Sequence, residues 1–230
     1  MADDDLEDVV RRADPDRWLA SRLIADPRSR ADVLTLYAFD AELARAVRVT
    51  SSPLMAQIRL TWWSEVLDEI ADEGPVRAHP LAQGLCEMVR RRELPTDLLH
   101  DIVEGRITAL GMSLLDDESA LAWAEAVGGS IAVLAALILG AGSAAQDARP
   151  AGRLIGLGTL ARAGAVDRAS LAPRLALMFK AANGAAKRLP AQAFPAVAAA
   201  SLARDRLSGR APSELGQRLR LVWASLWGRV

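Results

Sequence analysis

Three acidic side chains at helical spacing are the clearest candidates for metal chemistry in this sequence. Asp97, Asp101 and Glu104 share one face of the helix expected after Pro95, with His100 beside them. Carboxylates one helical turn apart can hold a cation such as Mg²⁺. Acidic residues are also typical of a first helical turn, where they meet the positive end of the helix dipole. A metal site and simple helix capping therefore both remain open here.

Other kinds of site find little support. Two histidines and one cysteine are too few for a structural zinc site, and the lone Cys86 forms no internal disulfide. Gly156 and Gly158 form a Gly-x-Gly, but no strand pattern precedes them. We therefore expect close helix packing there and not a dinucleotide site. The acidic run from Glu65 to Glu73 is typical of a solvated helix face.

The elements that would position these residues are helices. Hydrophobic residues make up 51% of the 230 residues and aromatics only 4%, so Ala, Leu and Val dominate. These residues favour helix, and no segment shows sustained strand alternation. Turn signals at Asp26-Pro27, Ser52-Pro53, Gly74-Pro75, His79-Pro80 and Pro95-Thr96 cut the chain into helix-length pieces. We predict an all-α fold of eight to ten helices, with residues 1–230 forming a single domain.

Charge is divided unevenly along the chain. Residues 1–142 carry 14 Lys and Arg against 25 Asp and Glu, a net charge of −11, whereas residues 143–230 carry 14 against 4, a net charge of +10. The two parts could pack against each other, or the basic part could bind phosphates, anionic lipid or a protein partner. No nucleic-acid partner is expected.

Two segments bear on membrane contact. The twenty residues 126–145 carry no charge, but they include four glycines and many alanines, which favours a buried core helix over a membrane span. The terminal helix, about 213–230, has an apolar stripe ending in Trp223 and Trp227. This stripe could dock on the protein's own core, on a membrane surface or on a partner. The acidic first residues are unlike a leader, so we expect a cytoplasmic protein, with the inner membrane face as a peripheral location.

Two runs resemble the first sequence block of the squalene/phytoene synthase family. Residues 34–48 contain its Tyr-Ala-Phe opening, and residues 58–65 continue the likeness. In the family this opening leads into an Asp-x-x-x-Asp pair. Here Ala44 and Arg48 stand at the positions of that pair.

A second block is also altered. Residues 152–167 resemble the family block that ends in Arg-Asp-x-x-x-Asp. Arg162 matches the arginine, Ala163 replaces the first aspartate, and Asp167 stands where the second belongs. The run 218–229 is similar to that in non-catalytic members, which include assembly factors for respiratory complex I.

The resemblance implies an isoprenoid-synthase-like helical bundle with a central cavity. By analogy with the family, the ligand-binding candidates are Tyr37, Phe39, Glu42, Arg59, Trp63 and Arg162. Ordinary core packing is the alternative for the aromatic residues. Trp62 and Trp63 point about 100° apart on a helix, so both cannot face one cavity.

Three functions are consistent with these features. The first is a catalytically degenerate member that binds an isoprenoid, a lipid or a membrane-associated partner. The second is a prenyltransferase that condenses two prenyl diphosphates using non-standard carboxylates such as Asp97 and Asp101. The third is an assembly or scaffold protein with a filled cavity. A diphosphate leaves only when Mg²⁺ held by carboxylates neutralises its charge, so we expect no cofactor unless the chain is an active enzyme.

Overall fold

The computed structural model describes residues 3–49, 52–210 and 213–230. Within these ranges the chain is all-α, and its β-pairing is limited to one isolated bridge between Leu115 and Val166. The helices are α1 Asp3–Ala13, α2 Pro15–Ser21, α3 Pro27–Val49, α4 Pro53–Ala71, α5 Pro80–Arg92, α6 Thr96–Thr108, α7 Asp117–Trp123, α8 Ser130–Ile138, α9 Arg149–Ala163, α10 Arg168–Ala186, α11 Pro195–Ala198, α12 Ala200–Leu207 and α13 Glu214–Trp227. A π-helical stretch, Ala124–Gly129, joins α7 to α8, and Gly142–Ala148 and Ala191–Ala193 form 3₁₀ helices.

Prolines and capping side chains mark where several helices begin. Pro27, Pro53 and Pro80 are the first residues of α3, α4 and α5, as the turn signals predicted. At the start of α7, the carboxylate of Asp116 accepts the backbone N–H of Ser119 at 2.7 Å. The thirteen α-helices of the described ranges exceed the eight to ten predicted, because α2, α7 and α11 are short helices of seven, seven and four residues.

The long uncharged segment lies inside the bundle. Eight of the nine residues of α8 are buried. By length and composition one helical stretch, Asp117–Ile138, could cross a membrane, but 72% of its most apolar window is buried among the other helices. This placement agrees with the predicted core helix.

Helix α9 packs backbone to backbone against the π-helical stretch. A Cβ atom added at Gly128 would lie 2.4 Å from the carbonyl oxygen of Gly152, and one added at Gly156 would lie 3.1 Å from the Cα of Ala124. A Cβ atom added at Gly158 would lie 3.2 Å from the Cβ of Ala203 in α12. The contact at Gly128 leaves no room for a side chain, and those at Gly156 and Gly158 are tighter than ordinary contacts, which confirms close helix packing at the Gly-x-Gly.

Ion pairs join the acidic and basic parts of the chain. Asp16 of α2 contacts Arg206 of α12 at 2.8 Å, and Glu125 contacts Arg153 of α9 at 2.9 Å. The two oppositely charged parts therefore pack against each other, as one of the two alternatives in the sequence analysis proposed.

Candidate functional site

A cavity of about 300 Å³ opens between α2, α3, α6 and α9. We call it the arginine-lined cavity, because it is lined by four arginines and two aspartates together with mainly small or aromatic residues: Ala13, Asp14, Arg17, Tyr37, Asp40, Ala41, Ala44, Arg48, Arg106, Trp123, Thr159, Leu160, Arg162 and Ala163. Helix α3 supplies one continuous face of it, since Tyr37, Asp40, Ala44 and Arg48 recur at intervals of three or four residues.

A buried carboxylate ties two arginines together inside this cavity. Asp40 accepts a hydrogen bond from Nη1 of Arg17 at 3.0 Å and another from Nη2 of Arg106. Burial alone would raise the pKa of Asp40, but the attraction of Arg106 and Arg17 outweighs burial and holds this pKa below its ordinary value. Asp40 is therefore an ionised carboxylate whose charge is already matched by two cations.

Tyr37 lies next to this network. Its side chain is buried, and the Arg17 guanidinium carbon lies 5.6 Å from the centre of the tyrosine ring. Burial raises the pKa of Tyr37 to about 12, although the nearby Arg17 charge acts in the opposite direction. The hydroxyl therefore stays protonated at neutral pH.

Three of the four positions that align with the family's aspartate pairs line the same cavity, together with Arg162. Ala44 and Arg48 reach it from α3, and Arg162 and Ala163 reach it from α9. The Arg162 guanidinium also lies 3.7 Å from Asp16 and 3.9 Å from Asp14. Thus the fold brings the two blocks together, but with alanine and arginine where a metal site needs carboxylates.

Asp167 does not join them, which corrects its assignment as the second aspartate of that pair. Gly164 caps the C-terminus of α9 with a φ of +71°, a left-handed conformation that favours glycine. The chain then turns, and Asp167 caps α10 by accepting the backbone N–H of Ala169 at 2.9 Å.

The other predicted ligand-binding residues lie elsewhere. Phe39 and Trp63 pack edge to face in the core, with ring centres 5.3 Å apart. Glu42 pairs with Arg45 on the outer side of α3, and Arg59 is exposed on α4. Tyr37 and Arg162 are the predicted residues that line the cavity. At about 100° per residue, Phe39 lies about 200° and Glu42 about 140° around α3 from Tyr37, so both point away from the cavity.

Sequence reasoning missed the charged network of the cavity. Asp40 follows Tyr37 by three residues and precedes Ala44 by four, so helical spacing could have placed it on the same face. Arg17 and Arg106 lie 23 and 66 positions from Asp40. No local pattern links such distant residues.

The predicted metal residues border a second cavity, of about 450 Å³, between α6 and α7. Asp101, Glu104 and Glu118 lie at its edge, whereas Asp97 is not among its lining residues. The hydroxyl of Ser130 donates to Asp101 at 3.3 Å. In the part of the chain that the structure describes, no group of three or more His, Cys, Asp or Glu is placed to hold a metal ion.

Trp123 separates the two cavities. It lines both of them, and the guanidinium carbon of Arg106 lies 5.6 Å from the centre of its ring. The charged network of the first cavity therefore packs directly against the apolar wall of the second.

This architecture is that of the all-α isoprenoid synthases. A solved structure of a dehydrosqualene synthase in complex with ligand matches this fold with a TM-score of 0.76, covering 98% of this chain and 95% of that one. The sequences are 13% identical, so the likeness establishes the fold alone.

The chain belongs to the squalene/phytoene synthase family, whose family model matches residues 10–172. Two curated relatives, from Bos taurus and Homo sapiens, are named NADH dehydrogenase (ubiquinone) complex I, assembly factor 6. Each is 29% identical over 99 residues, which is 43% of this chain and 29% of the relative. The match therefore spans less than a third of those proteins.

The family implies Mg²⁺ held by two aspartate pairs, and the side chains of the arginine-lined cavity do not fit this ion. Mg²⁺ requires oxygen ligands in near-octahedral geometry. The two carboxylates of the lining, Asp14 and Asp40, both lie within 3.5 Å of the Arg17 guanidinium. A divalent cation there would displace an internal ion pair and face Arg48 and Arg162 across the cavity.

Proposed function

We propose that this protein is a non-catalytic member of the squalene/phytoene synthase family that binds an isoprenoid or another lipid with an anionic head group. One observation carries the proposal: three of the four positions aligned with the metal-binding pairs, Ala44, Arg48 and Ala163, meet in one cavity together with Arg162. Arg48 and Arg162 can attract an anionic head group directly, without a metal ion between them.

Arginine suits the recognition of phosphate. Its planar guanidinium donates two parallel hydrogen bonds to an anion and keeps its charge at all physiological pH values. Arg17 and Arg106 are committed to Asp40, whereas Arg48 and Arg162 lie at the more exposed side of the cavity. The latter two are therefore the residues proposed to contact the head group.

The cavity's dimensions favour binding over condensation. Small-molecule sites range from about 300 to 1,000 Å³, so a cavity of about 300 Å³ is at the lower end of this range. Such a space suits one ligand, with its apolar chain against Trp123 and Leu160, and not the two prenyl diphosphates that a head-to-head reaction joins.

The test is calorimetric titration of farnesyl diphosphate in EDTA and again in Mg²⁺. We expect binding in both conditions, and a loss of about tenfold or more in affinity for Arg48→Ala and Arg162→Ala, since a charge-assisted hydrogen bond contributes about 1.5–3 kcal/mol. Arg45→Ala is the matched control, because Arg45 lies on the same helix as Arg48 but pairs with Glu42 outside the cavity. Binding that depends on Mg²⁺, or that is insensitive to both cavity variants, would contradict the proposal.

A second candidate is a role in assembling a respiratory complex, which the names of the curated relatives favour. In this case the chain acts by binding a protein partner. Deleting the gene in the source organism should then lower NADH-dependent ubiquinone reduction in isolated membranes, and re-expression should restore it. Unchanged activity with unchanged complex content would exclude this role.

A further inference from the structure

Helix α13 presents an unusually large apolar face to its surroundings. Exposed fractions are 67% for Leu215, 60% for Trp223, 75% for Leu226 and 65% for Trp227. Only Leu221 and Ala224 of this helix are buried against the body of the protein. The helix is therefore docked by a narrow stripe, while its widest apolar side remains uncovered.

The exposed residues form one continuous surface, which we call the α13 face: Leu215, Leu219, Val222, Trp223, Leu226 and Trp227. With about 100° between successive residues, these six side chains fall within one arc of the helix. The rings of Trp223 and Trp227 stack in parallel, with centres 6.1 Å apart. Stacking fixes both indoles on the outer side of the helix.

Arginines flank this face on both sides. On the helical wheel Arg218 falls beyond one edge and Arg220 beyond the other, and Arg229 follows the end of the helix. Arg220 is paired with the buried Asp205, so that acid is neutralised and covered. Glu214 falls on the side of the helix opposite the tryptophans.

We propose that the α13 face binds the surface of an anionic lipid bilayer. Helices that lie in the plane of a membrane interface combine Trp and Leu on one side with basic residues at its edges. Charge separates this partner from a second copy of the chain: residues 213–230 carry Arg218, Arg220 and Arg229 against Glu214 alone, so two such surfaces would repel each other, whereas anionic headgroups would attract them.

The test is flotation of the full chain with vesicles of phosphatidylcholine alone or mixed with phosphatidylglycerol. We expect binding to the mixed vesicles that weakens as salt is raised, because salt screens the attraction of Arg218 and Arg229. Leu226→Glu should lower the affinity about tenfold or more, since it removes a leucine that would enter the bilayer and adds a charge that anionic headgroups repel. Arg218→Gln should weaken binding to the mixed vesicles only.

Leu177→Glu on α10 is the matched control, because Leu177 is 72% exposed and lies outside the α13 face. It should float like the unaltered chain, and equal melting temperatures of both glutamate variants would show that they fold. Binding that Leu226→Glu leaves unchanged would overturn the proposal. Failure to bind both kinds of vesicle would overturn it as well. A chain that binds no vesicle but forms a dimer in light scattering, which Leu226→Glu dissociates, would show that a second copy covers the α13 face instead.

Discussion

Replacing Asp40 with asparagine should destabilise the protein severely, because Asp40 is the shared anion of two buried cations. Arg17 is 4% exposed, and the side chain of Arg106 is 10% exposed. Removing one partner from a buried ion pair costs about 3–5 kcal/mol, since the remaining charge has lost its compensation. We place the variant within that range, because Arg106 loses its carboxylate partner, whereas Arg17 keeps the carboxylate of Asp14 at 3.5 Å.

The assay is urea unfolding followed by circular dichroism. A loss of about 3–5 kcal/mol is a large part of the 5–15 kcal/mol that stabilises most domains. Glu42→Gln is the matched control: it lies half a turn away on α3, and its partner Arg45 has a side chain 55% exposed. Surface pairs of this kind contribute about 0–1 kcal/mol. Adding Arg106→Met to the Asp40→Asn chain should recover part of the loss, because it removes one of the stranded cations.

A loss below about 1 kcal/mol for Asp40→Asn would refute the reasoning. It would mean that water reaches Arg17 and Arg106 freely and that Asp40 is not what holds them in the cavity. Equal losses for Asp40→Asn and Glu42→Gln would lead to the same conclusion.

Three further outcomes follow from the same structure. Tyr37 is the single tyrosine of the chain, so ultraviolet titration of tyrosinate reports on it alone. We expect a titration midpoint near pH 12 in the folded protein and near pH 10 in denaturant. A midpoint near pH 10 in the folded protein would disprove the burial of Tyr37 beside Arg17. Because this pKa is raised on folding, its contribution to stability is complete below pH 10 and is lost between pH 10 and about 12. The lowered pKa of Asp40 acts at the other end: its contribution is complete above the ordinary value of 3.8 and disappears as the pH falls through the lower folded value, so acid unfolding of Asp40→Asn should lack this component. Gly128→Ala should lower the free energy of unfolding by about 1–3 kcal/mol, because the new methyl group would collide with the Gly152 carbonyl. Gly84→Ala in α5 meets nothing within 4 Å and should raise the free energy of unfolding by about 0.5–1 kcal/mol. Similar effects of both variants in thermal unfolding would contradict the close packing of α9.

Much of the helical framework could be predicted from local sequence signals. Prolines at positions 27, 53 and 80 fix the dihedral angle that a first helical turn needs, so the starts of α3, α4 and α5 agree with the prediction. The glycines at 156 and 158 likewise indicated close helix contact, which the structure confirms. In each case the physical cause lies within a few residues of the feature.

The candidate site was only partly predictable, because its charges come from distant parts of the chain. The family likeness located Ala44, Arg48, Arg162 and Ala163, which do meet in one cavity. Nothing local indicated that Arg17 and Arg106 would share Asp40. The pairing depends on how α2 and α6 pack against α3, which is a tertiary property.

Two aromatic candidates lie outside the arginine-lined cavity for a geometric reason. Phe39 and Trp63 were expected to line a ligand cavity by analogy, but they contact each other in the core. The lining face of α3 is set by the spacing of Tyr37, Asp40, Ala44 and Arg48, and Phe39 falls on the opposite side. Residue type alone did not distinguish these two faces.

The most direct measurement of whether this cavity supports prenyl transfer is pyrophosphate release from farnesyl or geranylgeranyl diphosphate in Mg²⁺. A dehydrosqualene synthase serves as the active control, and a chain with Asp97→Ala and Asp101→Ala tests the acidic residues of α6. We predict that the protein releases no more pyrophosphate than a sample without protein. Sustained release that requires Mg²⁺ would contradict the account, and its loss in the double variant would identify those carboxylates as the ones that gather the metal.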